Sequence, residues 1–459
     1  MPDRVTVVGG GLAGCEVAWQ LAEAGIDVGL VEMKPETRTP AQTSDHLAEL
    51  VCSNSLRSAN PTNAVGLLKL EMTRLGSLVM AAATEARVPA GDAFAVDRDL
   101  FGRTITARIE AHPRIERRHA LVTDLPSAAD GITVIATGPL TADRLAQSIV
   151  RATGRERLYF YDAIAPVVMA DSLDRDQIYA ASRYGKGGGA DYLNCPLGAE
   201  QYDAFYDLLI GALCMPLHPF ETPHYFQGCL PIEVIAKSGR DTLRFGTMKP
   251  VGLRDPKTGR VPYAVLQLRQ EDRHGQAYNL VGFQTKMTHP EQRRVLCTLP
   301  GLERAEFLRF GAVHRNTYID SPALLDAQMR LKTLPHLRFA GQITGVEGYT
   351  ESAAHGLATG LVLARELCGR PCPPPPPETA IGALWNHVRG ALRLPGRAHE
   401  PQNVHWGLFP PPPPGTRKKD TKEVRLARAV CALERWAAEH AVPLRPPPAV
   451  DRPAVAAEE

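Results

Sequence analysis

The stretch Val5-Thr6-Val7-Val8-Gly9-Gly10-Gly11-Leu12-Ala13-Gly14-Cys15-Glu16-Val17-Ala18-Trp19-Gln20-Leu21-Ala22, with Ile26-Asp27-Val28-Gly29-Leu30-Val31-Glu32 after Gly25, decides the fold. A β-branched run feeds a glycine turn. The turn opens a helix whose apolar positions are Leu12, Val17, Ala18 and Leu21. Gly25 ends that helix, and a second apolar run stops at an acid. This is the strand–turn–helix–strand unit that holds a dinucleotide. Gly9 allows the tight turn, Gly11 lets the backbone approach a pyrophosphate, and Gly14 lets helix and strand pack closely. Free N–H groups at the helix start receive the phosphates. Glu32 lies 18 residues after Gly14 and is placed to accept ribose hydroxyls. An acid there argues against a 2′-phosphate but does not separate FAD from NAD.

Working outward, Phe339-Ala340-Gly341-Gln342-Ile343-Thr344-Gly345-Val346-Glu347-Gly348-Tyr349 is a strand end that gives way to glycines and then to a helix over 351–368. That helix aims its positive end at an anion or at the electron-rich edge of a flavin. One glycine-rich helix start near each end of the chain favours FAD, in a domain interrupted by an insertion. Ile132-Thr133-Val134-Ile135-Ala136-Thr137-Gly138-Pro139 reads as a buried strand ending in a turn, as in flavoproteins of the glutathione-reductase type. The expected fold is α/β: a Rossmann-like FAD-binding domain of glutathione-reductase type interrupted by an α/β insertion domain. Its parts are 1–165, an insertion over 166–310, a second FAD part with a helical region over 311–440, and a disordered tail over 441–459.

The chain has 459 residues, 44% of them apolar, which supplies a core for two or three domains. No apolar run is long enough to span a membrane, and the apolar start is the nucleotide strand rather than a signal sequence. Nine cysteines lack paired spacing, so reduced thiols, a cytoplasmic location and no metal site are expected. A net charge of +2 gives no global field for a polyanion, so any such site is a local patch.

Residues 66–86 read as one helix with Leu67, Leu70, Leu75 and Leu78 on its apolar side, and Asp97 caps the next. In the insertion, Leu243-Arg244-Phe245-Gly246 and Tyr263-Ala264-Val265-Leu266-Gln267-Leu268 alternate as strands of a mostly antiparallel sheet. Polyproline segments at 373–377 and 410–414 flank a short helix at 384–392. The basic run 417–428 reads as a solvated helix face or as a track for a nucleic-acid backbone.

Three stretches taken together resemble the folate/FAD-dependent tRNA (uracil-5-)-methyltransferases, the TrmFO family. They are Val51-Cys52-Ser53-Asn54-Ser55-Leu56-Arg57, Gly228-Cys229-Leu230-Pro231-Ile232-Glu233 and the 339–349 run, in the same order from residue 1 to about 440. The Pro-rich tail departs from that pattern. The resemblance implies formation of 5-methyluridine at position 54 of the tRNA T-loop. Carbon comes from 5,10-methylenetetrahydrofolate, reduced FAD is the reductant, and NADH or NADPH reloads it. No obligate protein partner is implied. Uracil C5 is a poor nucleophile, so the chemistry calls for a thiolate adding at C6, a base for the C5 proton, a carbon donor and a hydride donor. Cys229, in the insertion, is assigned as the nucleophile and Cys52 as the base; the reverse assignment stays open. Gly9, Gly10, Gly11, Leu12, Ala13, Gly14, Glu32, Gly341, Gln342, Gly345, Gly348 and Tyr349 are the cofactor-binding candidates. Loop residue His289 is the candidate to stack on the folate pterin. Lys286, Arg293, Arg294 and Arg315 are candidates for RNA phosphates, and Cys195 is read as structural. The rivals are a wobble-uridine enzyme of the MnmG (GidA) type and a tRNA-binding flavoprotein without methyl transfer.

Overall fold

A computed structural model describes residues 4–39, 41–155, 158–215, 230–393 and 398–447. Its first sheet has six strands, in the spatial order Arg330–Leu331, Leu334–Phe339, Thr133–Ile135, Val5–Val8, Val28–Glu32 and Ile115–His119. All neighbours run parallel except the first pair. Val5, Val7, Leu30, Val134 and Leu337 are buried, as expected of parallel strands covered on both faces.

Both ends of the chain build this layer, because the helix Leu12–Glu23 packs on the helix Tyr349–Leu367. Contact is close at two glycines: a Cβ on Gly356 would overlap the Ala13 backbone, and one on Gly360 would lie 2.9 Å from Val17 Cα. The helix expected over 351–368 spans Tyr349–Leu367, starting two residues earlier after Gly348.

A second six-stranded sheet is antiparallel throughout, in the order Tyr179–Ala180, Tyr192–Leu197, Ala264–Gln270, Ala277–Leu280, Val167–Met169 and Phe307–Arg309. Leu193, Leu266, Leu268, Tyr202 and Phe205 form a core of their own beneath it. A two-stranded ribbon, Leu158–Ala163 against Val313–Tyr318, carries the chain out of the first layer and back.

Four local expectations are corrected. Residues 66–86 form two helices, Ala64–Arg74 and Leu78–Glu85. Gly76 turns with φ +80° and the Ser77 hydroxyl accepts from Met80 N, so a cap interrupts the apolar stripe. Thr242–Phe245 is a helical turn rather than a strand; Leu243 is buried while Phe245 is 77% exposed, and four residues of alternation do not distinguish the two. His289 opens the helix His289–Leu296, with Pro290 at its first turn, rather than lying in a loop. Residues 441–447, expected in a disordered tail, are ordered: Val442 is buried and Arg445 N donates to Arg74 O. The polyproline segments are pinned by the Thr421–Glu439 helix, through Trp436 Nε1 to Pro373 O and Arg428 to the carbonyls of Pro410 and Pro411. Among the described residues, no helix is long and apolar enough to cross a membrane.

Candidate active site

The first cleft opens over the amino end of the Leu12–Glu23 helix and encloses about 1040 Å³ including solvent at its mouth. The helix starts at Gly11 without a side-chain cap, so its first N–H groups face the cleft unsatisfied. Gly9 has φ +105°, and a Cβ there would sit 2.6 Å from Ala136 O. A Cβ on Gly11 would meet nothing within 4 Å, so this glycine keeps space open for a ligand rather than for the protein. Glu32 is buried at the edge, where its carboxylate accepts from Gly10 N at 2.6 Å and Lys34 N at 3.1 Å. Uncapped amides for phosphates and an acid for ribose fit a dinucleotide such as FAD.

Gly9, Gly11, Leu12, Ala13, Glu32, Gln342 and Tyr349 line this cleft. Gly10, Gly14, Gly341 and Gly345 lie behind it and allow close packing: Cβ atoms there would meet Glu32, Gly9, Ala13 and His399, respectively. Three histidines brace the 341–349 turn from behind. Gly341 N donates to His355 Nδ1, while the Gly345 and Thr344 carbonyls pair with His387 and His399. Burial pushes His355 down to about 3 and His387 down to about 4, so these rings are neutral props at physiological pH.

A second cleft, about 1450 Å³, continues from the first across Val51, Leu140, Gln342 and Tyr349. Cys52 lies on its wall, with Gln342, Gly348 and Tyr349. The loop carrying Cys52 is held by three arginines from separate elements. Arg98 donates to Leu50 O at 2.8 Å, and Arg309 donates to Val51 O at 2.8 Å. Arg269 donates to Asn54 Oδ1 and Ser53 Oγ, both at 2.9 Å. Tyr349 Oη accepts from the backbone N–H of Cys52 and Ser53.

Burial raises the Cys52 thiol to about 12, and the Asp162 carboxylate adds to the rise; a hydrogen bond from Tyr349 and the charge of Arg98 oppose it. Glu347 on the same wall is held well above the carboxylate range by burial and by Asp162, with Gln342 Nε2 donating to it at 2.7 Å. Burial and the neighbouring Arg98 bring Arg309 down to about 10. Burial therefore favours the neutral form of both acids of the wall, the Cys52 thiol and the Glu347 carboxyl.

Cys229 lies outside the described residues. The described residues begin again at 230, and Ile232 N donates to the carbonyl of Gln284, a residue of the second cleft wall. His289 and Lys286 do not line either cleft. Instead the exposed His289 ring stacks on Phe310 at 4.5 Å, Phe310 on Phe307 at 4.9 Å, and Arg293 lies over both phenyl rings. Cys195 is fully buried and its thiol is pushed up by desolvation, as befits a core residue. Sequence reading missed Arg98, Arg269, Arg309 and Asp162. The one available signal was Arg269, a charge set inside the apolar strand Ala264–Gln270. Among the described residues no group of three or more His, Cys, Asp or Glu is arranged to hold a metal ion.

Residues 4–371 match the family model for glucose inhibited division protein A. The chain is 56% identical over 438 residues to the methylenetetrahydrofolate–tRNA-(uracil-5-)-methyltransferase TrmFO of Geobacter sulfurreducens, covering 95% of this chain and all of that one. It is 55% identical over 449 residues to the TrmFO of Anaeromyxobacter dehalogenans, covering 97% and 98%. The structure of Aquifex aeolicus GidA superimposes with a TM-score of 0.66 at 15% identity, covering 96% of this chain and 73% of that one. That likeness shows a GidA-like, mixed α/β fold with a parallel sheet.

Proposed function

The chain belongs to the GidA family and within it to the TrmFO group, and from that premise we propose that it methylates C5 of uridine 54 in the tRNA T-loop. The observation that carries this reading is the continuity of the two clefts past Tyr349, which brings a half-buried cysteine to the end of a dinucleotide cradle. Residues 1–165 and 311–440 form the FAD domain of glutathione-reductase type, and 166–310 form the insertion that faces the RNA. FAD, held at the uncapped start of the Leu12–Glu23 helix in the first cleft and reduced by NADH or NADPH, would supply the hydride needed to convert a captured one-carbon unit into a methyl group. 5,10-Methylenetetrahydrofolate is the carbon donor and tRNA the acceptor, in the cytoplasm.

This chain's own residues do four things. Gly11, Leu12 and Ala13 present amides to the pyrophosphate beside the turn at Gly9, whose own N–H donates to Val31 O, and Glu32 accepts from ribose. Gln342, Gly348 and Tyr349 border the flavin end. Cys229 adds to uracil C6 and Cys52 takes the C5 proton. A thiol titrating at about 12 cannot accept that proton until its own is displaced, and Tyr349 and Arg98 are the two groups already biased toward its thiolate. Arg98, Arg269 and Arg309 hold the Cys52 loop so that its sulfur keeps one position.

The test is a T-arm RNA carrying 5-fluorouridine at the target position, which traps a thiol adduct because its C5 holds no removable proton. Wild type is expected to form a covalent complex that Cys229→Ala abolishes and Cys52→Ala retains. Loss in Cys52→Ala with retention in Cys229→Ala reverses the two roles, and no adduct with wild type contradicts the reading.

A further inference from the structure

The wall of the second cleft formed by the antiparallel sheet contains a buried donor that nothing satisfies. Asn279, on the strand Ala277–Leu280, is 3% exposed and lines the cleft. Its Nδ2 has no hydrogen-bond partner. Burying an amide N–H without an acceptor destabilises a fold, so native chains seldom leave one. Its position is informative. Asn279 is the register partner of Arg269 on the neighbouring strand, so the two side chains stand side by side on one face. Arg269 is the residue that grips Ser53 and Asn54 beside Cys52. On the other flank Asn279 pairs with Val167, whose side chain offers no acceptor.

We propose that Asn279 reads the lactam edge, an adjacent C=O and N–H, of a six-membered heterocycle entering the cleft beside Cys52. One planar carboxamide presents a donor and an acceptor together, and a lactam presents the matching acceptor and donor. Uracil carries this edge, and so does the pterin of a folate. Cytosine carries an amino donor and a bare ring nitrogen at the corresponding places, so its donor would face the donor of Asn279. A site built around such a pair rejects a ring that leaves it unmatched far more strongly than an apolar pocket does. The assignment rests on the methyltransferase reading and deepens it by naming a specificity-determining residue.

The test uses the flavin-loaded full chain as wild type, Asn279→Leu and Asn279→Asp. Flavin content and thermal stability are measured first. Tetrahydrofolate binding is then followed by the change in flavin absorbance, and T-arm RNA binding by fluorescence anisotropy, with uridine or cytidine at the target position. Asn279→Leu keeps the volume and removes the orphan donor. It is expected to retain flavin, to melt no lower than wild type, and to lose about tenfold or more in affinity for one probe. Loss confined to tetrahydrofolate identifies the pterin as the lactam. Loss confined to uridine RNA, with uridine no longer preferred over cytidine, identifies the target base, and Asn279→Asp is then expected to shift preference toward cytidine. A lower melting temperature in Asn279→Leu would mean a structural amide, and loss of flavin would mean an isoalloxazine contact; either overturns the proposal. Wild-type binding that is indifferent to Asn279 overturns the proposal alone, whereas wild type that binds neither probe overturns the methyltransferase reading with it.

Discussion

The hydroxyl of Tyr349 lies 2.6 Å from the backbone nitrogen of Cys52, joining two motifs 297 positions apart in the chain. One is the first residue of a helix that starts at a glycine turn; the other is a loop thiol held by arginines. This contact fixes where the dinucleotide cradle ends and the second cleft begins.

Removing it has a defined consequence. Tyr349→Phe leaves the N–H groups of Cys52 and Ser53 without their acceptor, which costs about 1–3 kcal/mol of stability. It also deletes the hydrogen bond that favours the Cys52 thiolate. Denaturant unfolding is expected to register the destabilisation, and single-turnover methylation is expected to slow, because the Cys52 thiolate loses the hydrogen bond that favours it. Retention of both stability and rate would show that the hydroxyl is idle.

The Cys52 thiol should be quiet in the absence of ligands. A group titrating at about 12 is almost wholly protonated at pH 8, and its thiolate appears only as pH rises toward that value. Alkylation by iodoacetamide, mapped by mass spectrometry on protein stripped of flavin, is expected to be on the order of a hundredfold slower at Cys52 than at exposed Cys431. The Cys52 rate should still be climbing at pH 10. A plateau by pH 9 would contradict the burial argument.

Two glycines separate holding the fold from holding the ligand. Gly11→Ala adds a methyl that meets no protein atom within 4 Å, so the stability of the flavin-free chain is expected to be unchanged while flavin affinity collapses. Gly356→Ala drives a methyl into the Ala13 backbone, so here stability itself is expected to fall, by about 1–3 kcal/mol. Thermal melting of flavin-free protein and flavin titration distinguish the two outcomes.

Glu71 supplies a pH dependence unrelated to catalysis. It is buried, caps the helix Ala380–Val388 through Ala380 N and Ile381 N, and burial lifts its pKa to about 8, against about 4.3 unfolded. Between those values the folded chain keeps a proton that the unfolded chain releases. The stability it contributes is therefore complete below about pH 4.3 and is lost as pH rises to about 8. Glu71→Gln is expected to flatten the fall in melting temperature between pH 5 and 8. Part of the slope should remain, because burial raises Glu16 to about 7.

The two glycine turns were legible because their constraints are local: a positive φ at Gly9, Gly341 and Gly348 and crowded packing at Gly14 leave a mark in the sequence itself. The parallel sheet followed from apolar runs of the right length. What the sequence hid was tertiary. Arg269 and Asn279 sit in runs that read as ordinary sheet, and only pairing of their strands sets them side by side, with Arg269 gripping the Cys52 loop. Lys286, Arg293 and His289 line neither cleft, and one face of the exposed His289 ring stacks on Phe310, an arrangement set by strand and helix packing rather than by sequence spacing. The break at Gly76 escaped notice because a cap can interrupt an apolar stripe without changing its period.

The most direct measurement is nucleoside analysis of unmodified tRNA incubated with the flavin-loaded protein, 5,10-methylenetetrahydrofolate and NADPH or NADH, with S-adenosylmethionine absent. The account predicts 5-methyluridine at position 54, dependent on the folate and lost in Cys52→Ala and Cys229→Ala. Unchanged uridine at that position, from protein that carries flavin and binds tRNA, would contradict it.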